Sequence, residues 1–473
     1  MDEKEIKKQK MMNFAVNSVE LISNNYKSRN ITKKDVKALM SKPQENCQKL
    51  QDLSSLLMGT NGNYSRLVRY WGGMATFDHI IFPLDNKKNN NKELYKSYLE
   101  ACSYVQKMNI KYNCKWFGER LIEKGELFIY KIEDNKGIIY LEIPNSICKI
   151  DRIKNGMLLY SINLQKINEK MLAGLPMEFQ EAYLISKNNK NNKDNWYQVS
   201  DKGVAFNLMG YTEHGYPLLT FLFDKIVSVE ESENKRDNLE EIENLKLIHQ
   251  KIPIDSKTGE VLIDEDEVRL YHEATKNNLP KGVAIATNPL DMNSVSLQTN
   301  NNNNSQGVDS VSKALKSVYD SAGVNIQLFN AEKCTAEIVK KGIVADELLV
   351  YKIVQMFQNY FNQDLKNKKI KGYYWQVKIL EVTYFNREEA VKTAKDNLAY
   401  GGSRMSFMAL NGFTPLESVS ILQAEQNLGF DKLLKPQQSA HTMSNKDKEE
   451  NSNKNNNTKN KEENEELEET EEL

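Results

Sequence analysis

The chain runs to 473 residues, 40% of them apolar and 27% charged, which is too long for one compact core and predicts roughly two to four substructures. Lys plus Arg number 64 against 65 for Asp plus Glu, a balance that leaves no overall basic footprint for clamping nucleic acid or an anionic membrane. The five cysteines lack C-x-x-C spacing and suggest a reducing compartment; neither the start MDEKEIKKQK nor the longest apolar run, YPLLTFLF at 216–223, has the makings of a signal peptide or a membrane span.

Residues 1–60 read as helices. NFAVNSVELISNNY places Phe14, Val16, Val19, Leu21 and Ile22 at mostly three- and four-residue steps, and TKKDVKALM starts at a cap-like Thr32. Another helix is expected over 92–108. From 125 the text GELFIYKIEDNKGIIYLEIPNSICKIDRIKNGMLLYSINL alternates β-branched and aromatic residues with Asp-Asn-Lys-Gly and Lys-Asn-Gly turns, which predicts a meander of short antiparallel strands. KNNKNNKDN at 187–195 is a polar surface loop, and strands resume at WYQVS and GVAFNLM.

An amphipathic helix is expected over 234–249, with Asp237 and Glu240 at capping-box spacing and Leu239, Ile242, Leu245 and Ile248 on one stripe. A small α/β module follows, with a helix in DEDEVRLYHEATKNN and an alternating GVAIATNPLDMNSVSLQ. The run TNNNNNSQG at 299–307 reads as a hinge into a second amphipathic helix over 306–322, which carries Val308, Val311, Leu315 and Val318 on one face and stops at Gly323. The longest helix is expected over 343–365, with Leu349, Ile353, Met356, Phe357, Tyr360 and Phe361 inward. A strand in YYWQVKILEVTYFN, two or three short helices over 387–426 and a disordered tail rich in glutamate complete the chain.

Catalytic patterns are incomplete. His272-Glu273-Ala274-Thr275-Lys276 has Lys276 where a zincin helix needs its second histidine. Ser310 with Lys313 makes S-x-x-K and Lys257-Thr258-Gly259 makes K-T-G, but in reversed order. The carboxylate pairs Glu240 with Glu241 and Asp264 with Asp266 sit at expected helix starts, where negative charge suits the dipole. No catalytic residue, metal ligand or cofactor is expected.

Four segments in fixed order carry a resemblance: YSRLVRYWGGMATFDHIIFPLD, LLTFLFDKIVSVEESENKRDNLEEIENLKLIHQKIPI, LPKGVAIATNPLDMNSVSLQ with SVYDSAGVNIQLFN, and MSFMALNGFTPLESVSILQAEQNLGFDKLLKPQQSAHTMS. Together they resemble the portal proteins, or head-to-tail connectors, of tailed bacteriophages from hosts of the Firmicutes type. The resemblance implies an α+β, ring-forming portal-protein fold. Its parts would be an N-terminal wing over 1–227, a first stem helix over 228–249, an α/β clip over 250–305, a second stem helix over 306–323, and a channel loop over 324–342. A long wing helix, a wing strand and a helical crown region would occupy 343–435, and an acidic tail 436–473.

That family reading implies a ring of typically twelve copies at one capsid vertex, through which double-stranded DNA is packaged and later ejected. Expected partners are other copies of the chain, DNA taken without sequence preference, the major capsid or scaffold protein, the terminase large subunit and a head-tail adaptor, with no membrane. The expected location is the virion, with assembly in the host cytoplasm. Leu239, Ile242, Leu245, Val308, Val311, Leu315 and Val318 would pack the stem, and Lys333, Lys340 and Lys341 would lie in or beside the channel loop. A DNA-processing, nuclease-like enzyme and a shell or scaffold protein are the alternatives.

Overall fold

The computed structural model describes residues 32–84, 91–134, 137–188, 195–244, 246–251, 253, 263–278, 283–288, 304–324 and 336–430. The helix expected over 13–26, Cys334, Lys257-Thr258-Gly259, most of the asparagine run and the acidic tail lie outside them. The chain divides into two compact units, Met1–Pro415 and Leu416–Leu473. The architecture of the described residues is α+β.

The first helices follow from caps and small residues. Thr32 opens α1 (Lys33–Met40) with a full capping box: its hydroxyl accepts from Asp35 N, and Asp35 accepts from Thr32 N. After α2 (Cys47–Thr60) comes α3 (Gly62–Gly73), started by Asn61, whose side chain accepts from Tyr64 N at 3.0 Å. Strand β1 (His79–Pro83), α4 (Asn91–Met108) and α5 (Ile110–Lys124) follow. Helices α3 and α5 cross where Gly72 meets Gly118: a Cβ on Gly118 would lie 2.6 Å from the Gly72 carbonyl oxygen. Only a bare backbone allows that approach.

Strands β2 (Glu126–Glu133), β3 (Ile138–Ile143), β4 (Cys148–Lys154), β5 (Met157–Asn163), β6 (Trp196–Gln198) and β7 (Gly203–Asn207) form one antiparallel sheet, between whose strands β5 and β6 lie the short α6 (Glu169–Leu172) and α7 (Met177–Asn188). The expected meander needs correction. Two hairpins, β2–β3 and β4–β5, are joined through β7 in the order β3-β2-β7-β5-β4, with β6 on β5. The β4–β5 turn is Asn155-Gly156, both at positive φ, which suits a tight hairpin. Pairing between the hairpins is non-local, so local alternation could not reveal it.

The sheet is buried on both faces, and consecutive residues show which neighbour each face meets. Tyr130 packs edge-on to Phe179 of α7, whereas Lys131 bonds Asp364 of the long helix. Likewise Leu141 and Ala205 join the α7-side core, whereas Tyr140 and Phe206 stack against Tyr360 and Phe357. The result is a three-layer body: α7, the sheet, and a layer of α5 with the long helix.

That helix, α11 (Ala336–Lys368), is 33 residues long; it starts seven residues before the expected 343. Ile353, Phe357, Tyr360 and Phe361 are buried as the periodicity indicated, while Leu349 and Met356 are half-buried. Strand β10 (Trp375–Ile379) pairs antiparallel with β1. Its other edge is covered by α11, where Asn362 Oδ1 accepts Val377 N (2.7 Å) and Gln358 Oε1 accepts Ile379 N (2.8 Å).

Between β7 and α11 the chain runs through α8 (Phe223–Asn244), β8 (Lys246–Lys251), α9 (Glu265–Asn278), β9 (Val283–Asn288) and α10 (Asn304–Ala322). Strands β8 and β9 are parallel, Lys246 opposite Val283 through Lys251 opposite Asn288. The helix expected over 234–249 is thus shifted: it begins at Phe223, and Lys246–Lys251 is strand. Asp237 and Glu240 lie inside α8, not at its start. The short apolar pair Leu247-Ile248 is too brief to separate helix from strand by periodicity, and tertiary pairing decides it. The first unit ends with α12 (Arg387–Leu398) and α13 (Arg404–Leu410), and α14 (Pro415–Leu428) carries the chain into the second.

Gly125 ends α5 at φ 79°, and a Cβ there would stand 1.8 Å from the Tyr216 carbonyl oxygen. Gly125→Ala is expected to cost about 2 kcal/mol or more, read as a lowered denaturant midpoint at unchanged slope. A wild-type midpoint would show that the 212–216 loop yields freely.

Candidate functional site

The two helices around the β8–α9–β9 module form the first candidate. The 3-10 turn Thr220–Leu222 leads into α8, whose Phe223, Ile226, Val227 and Val229 are buried. Helix α10 packs on α8 and on that turn, burying Val311, Val318 and Tyr319. Tyr319 Oη donates to Asn63 Oδ1 of α3 (3.0 Å). The start of α8 and the end of α10 are therefore both fixed to the body, and the helices run antiparallel. Gly323, at φ 74°, ends α10.

Of the residues expected to pack this pair, Val311 and Val318 are buried and Leu315 is half-buried. Leu239 and Ile242 fall within α8 and Val308 within α10; their side chains, and Leu245 altogether, lie outside the described residues. Ile226, Val227 and Val229 were missed because the apolar spacing of α8 begins upstream of 234, in text that reads as a plain apolar run; Tyr319, inside the predicted second helix, buries its ring beside Val318.

The lysines expected in a loop need correction. Lys340 and Lys341 are in the second turn of α11, because Ala-Glu-Ile-Val-Lys-Lys is strong helix-forming text whose periodicity is weakened by Gly342. Lys341 is exposed; Lys333 lies outside the described residues.

The second candidate is polar. Lys131, buried on β2, donates to both Asp364 carboxylate oxygens and to Tyr104 Oη, each at 2.7 Å, and stands 3.2 Å from Glu133. Lys368 closes the network on Glu133 at 2.5 Å. The groove beside it, about 820 Å³, is lined by Lys131, Glu133, Asp134, Ser200, Asp201, Lys202 and Asp364. Its main cation is already surrounded by acceptors, so the network is a clamp between sheet and helix. Nearer the start of α11, Tyr70 Oη donates to Asp346 (2.9 Å) and Thr383 Oγ1 to Glu347 (2.6 Å). Burial raises the Asp346 pKa against the hydrogen bond from Tyr70, and neighbouring Glu347 adds to the rise.

A third polar centre lies where α2, β2 and the 212–216 loop meet. Buried Glu126 accepts from Gln51 Nε2 (2.8 Å) and Gly215 N (2.7 Å). His214 Nδ1 is 3.8 Å away. That carboxylate raises the His214 pKa, burial opposes it, Glu213 adds to it and Lys166 subtracts.

None of these arrangements presents a nucleophile beside a base. Burial pushes the Cys47 and Cys102 thiols up to about 11, so neither is a thiolate at neutral pH. Among the described residues no group of three His, Cys, Asp or Glu can hold a metal ion, and no helix is long and apolar enough to cross a membrane. His272 and Glu273 lie on α9, and Ser310 and Lys313 on α10.

No family model matches the chain and no curated protein matches it. Among solved structures, it is similar to a chain from the virion of a native gene transfer agent particle, at TM-score 0.37 and 10% identity, over 81% of this chain and 93% of that one. A TM-score below one half supports no shared fold or activity.

Lys131→Met is expected to destabilise the protein by about 3 kcal/mol because it strands Asp364. Lys131→Met with Asp364→Leu should recover most of that loss in chemical denaturation. A double variant no more stable than Lys131→Met alone would show that the single loss does not come from a stranded Asp364.

His214 titrates above its ordinary 6.5, so its contribution is full below 6.5 and fades as pH rises through the raised value. His214→Asn should therefore flatten stability against pH above 6.5. An unchanged slope in thermal melts would assign that pH dependence elsewhere.

Proposed function

We propose that this chain is the subunit of a bacteriophage portal ring, a non-enzymatic conduit through which double-stranded DNA enters and leaves the capsid at one vertex. The observation that carries the reading is the chain order. A sheet-and-helix body gives way to α8, a parallel strand pair with an intervening helix, α10, and then the long α11. In portal terms these are wing, stem, clip, stem and wing helix, the order that the sequence segments resemble.

Physical chemistry supports the same reading. A conduit must let DNA slide, and several lysine–phosphate contacts per subunit would multiply around a ring into a salt-sensitive clamp. A chain with 64 basic against 65 acidic residues suits passage better than retention. Its partners would be its own copies, the capsid or scaffold protein, the terminase large subunit and the adaptor, within the virion.

Native mass spectrometry and negative-stain microscopy test the proposal. The expected particle is a closed ring of roughly twelve chains with a central hole, without DNA turnover. A DNA-cutting monomer, or sheets and shells in place of rings, would overturn it. Replacing Lys333, Lys340 and Lys341 together by Ala should slow packaging or lower DNA retention; wild-type values would remove these lysines from the conduit.

A further inference from the structure

The three-layer body carries an apolar stripe on each outer side. On one side, α7 turns Phe179 and Ala182 into the core and Met177, Leu184 and Ile185 outward, each more than half exposed. Exposed Glu181 sits among them, and the steps of four, three and one place all four on one stripe. On the other side, α11 turns Phe357, Tyr360 and Phe361 towards the sheet. Roughly half a turn around the same helix it presents Val344 and Leu348, each more than half exposed, and then exposed Lys352. Tyr384 and Phe385, about half exposed, lie alongside, since neighbouring Asn386 donates Nδ2 to Tyr351 Oη at 2.8 Å.

Apolar stripes of this kind mark contact surfaces. Two features identify the occupant. The stripes differ from each other, as a head-to-tail contact between identical chains requires, and lie on opposite sides of one sheet, so one copy can offer both at once. They also carry opposite charges, Glu181 on α7 and Lys352 on α11, and neither makes an ion pair among the described residues. Like-with-like pairing would set Glu181 against Glu181.

We propose that these stripes are the two halves of one contact: α7 of each copy seats on the outer face of α11 in a second copy, with Glu181 opposite Lys352. The proposal rests on the ring reading and names its interface.

The test uses the full chain. Leu184→Glu with Ile185→Glu removes the α7 stripe; Val344→Glu with Leu348→Glu removes the α11 stripe. All four positions are exposed, so circular dichroism and melting should match wild type. Each variant alone is expected to be monomeric, or to need at least about ten-fold more protein to assemble. Mixed together, they should form one-to-one heterodimers, because each retains the half the other lacks. Glu181→Lys and Lys352→Glu should each weaken assembly, and the chain with both should regain it, which also keeps the test informative if a glutamate pair disturbs folding.

If wild type forms rings and these variants form them equally well, the interface is elsewhere and the ring reading stands. If the variants are monomeric but mixing yields no heterodimer and charge reversal no rescue, the pairing is overturned. Wild type that stays monomeric at all concentrations overturns the ring reading and this inference together.

Discussion

Helix α11 has to satisfy three neighbours at once, and the rest of the first unit is arranged around it. One part of its inner surface meets the large sheet through Phe357, Tyr360 and Phe361, another covers the edge of β10 with Asn362 and Gln358, and its early turns meet α3 through Asp346. Aromatic burial supplies the stability here: each ring pair adds about 0.5–1.5 kcal/mol beyond the area it removes from water. The Lys131–Asp364 pair adds little net energy, because desolving two charges offsets their attraction. Its effect is on register. A slip of one turn, about 5.4 Å, would leave both charges buried and unpaired, whereas aromatic contacts alone tolerate small displacements.

A helix fixed in register also fixes what precedes it. The N-terminal turns of α8 and the C-terminal turns of α10 are anchored to the same body through Phe223, Ile226 and the Tyr319–Asn63 bond. Short helices are marginal in water by themselves, so each depends on the other's apolar stripe and on this anchorage. The β8–α9–β9 module is inserted between them, and its two strands pair with each other. A module carried on two mutually dependent helices can change its surroundings without requiring the three-layer body to repack.

The elements most legible in the sequence were those whose pattern is local. The capping box at Thr32, the stop at Gly323 and the inward face of α11 follow from spacing and turn chemistry alone. The order of strands in the large sheet did not, since it depends on β7 arriving between two hairpins from about 40 residues away. The boundary between α8 and β8 failed for a different reason: the apolar pair Leu247-Ile248 is too short to tell helix from strand, and only pairing with β9 chooses. Helix α7 went unread because Met177, Leu184 and Ile185 are apolar on the side away from the core, which blurs the stripe made by Phe179 and Ala182. Among candidate site residues, Val311 and Val318 of α10 were legible as part of a periodic face. The Glu126–His214 and Lys131–Asp364 centres were not, because their members are far apart in sequence.

The feature that obscured α7 bears on solubility. A monomer with uncovered apolar stripes on opposite sides is exposed to open-ended association, since a head-to-tail contact that does not close continues as a filament. Closure removes every free stripe at once, whereas any open oligomer leaves two. That difference favours rings over linear assemblies without a stronger individual contact. A closed ring would need a rotation that returns to its start, and such a rotation needs contact elements that do not flex. Both stripes lie on helices packed against one sheet, α7 through Phe179 and α11 through Phe357, and the register clamp at Asp364 holds α11 to strand β2 of that sheet. In the proposed ring, the buried ion pair, nearly neutral for stability, would thereby be a condition for a fixed angle between copies.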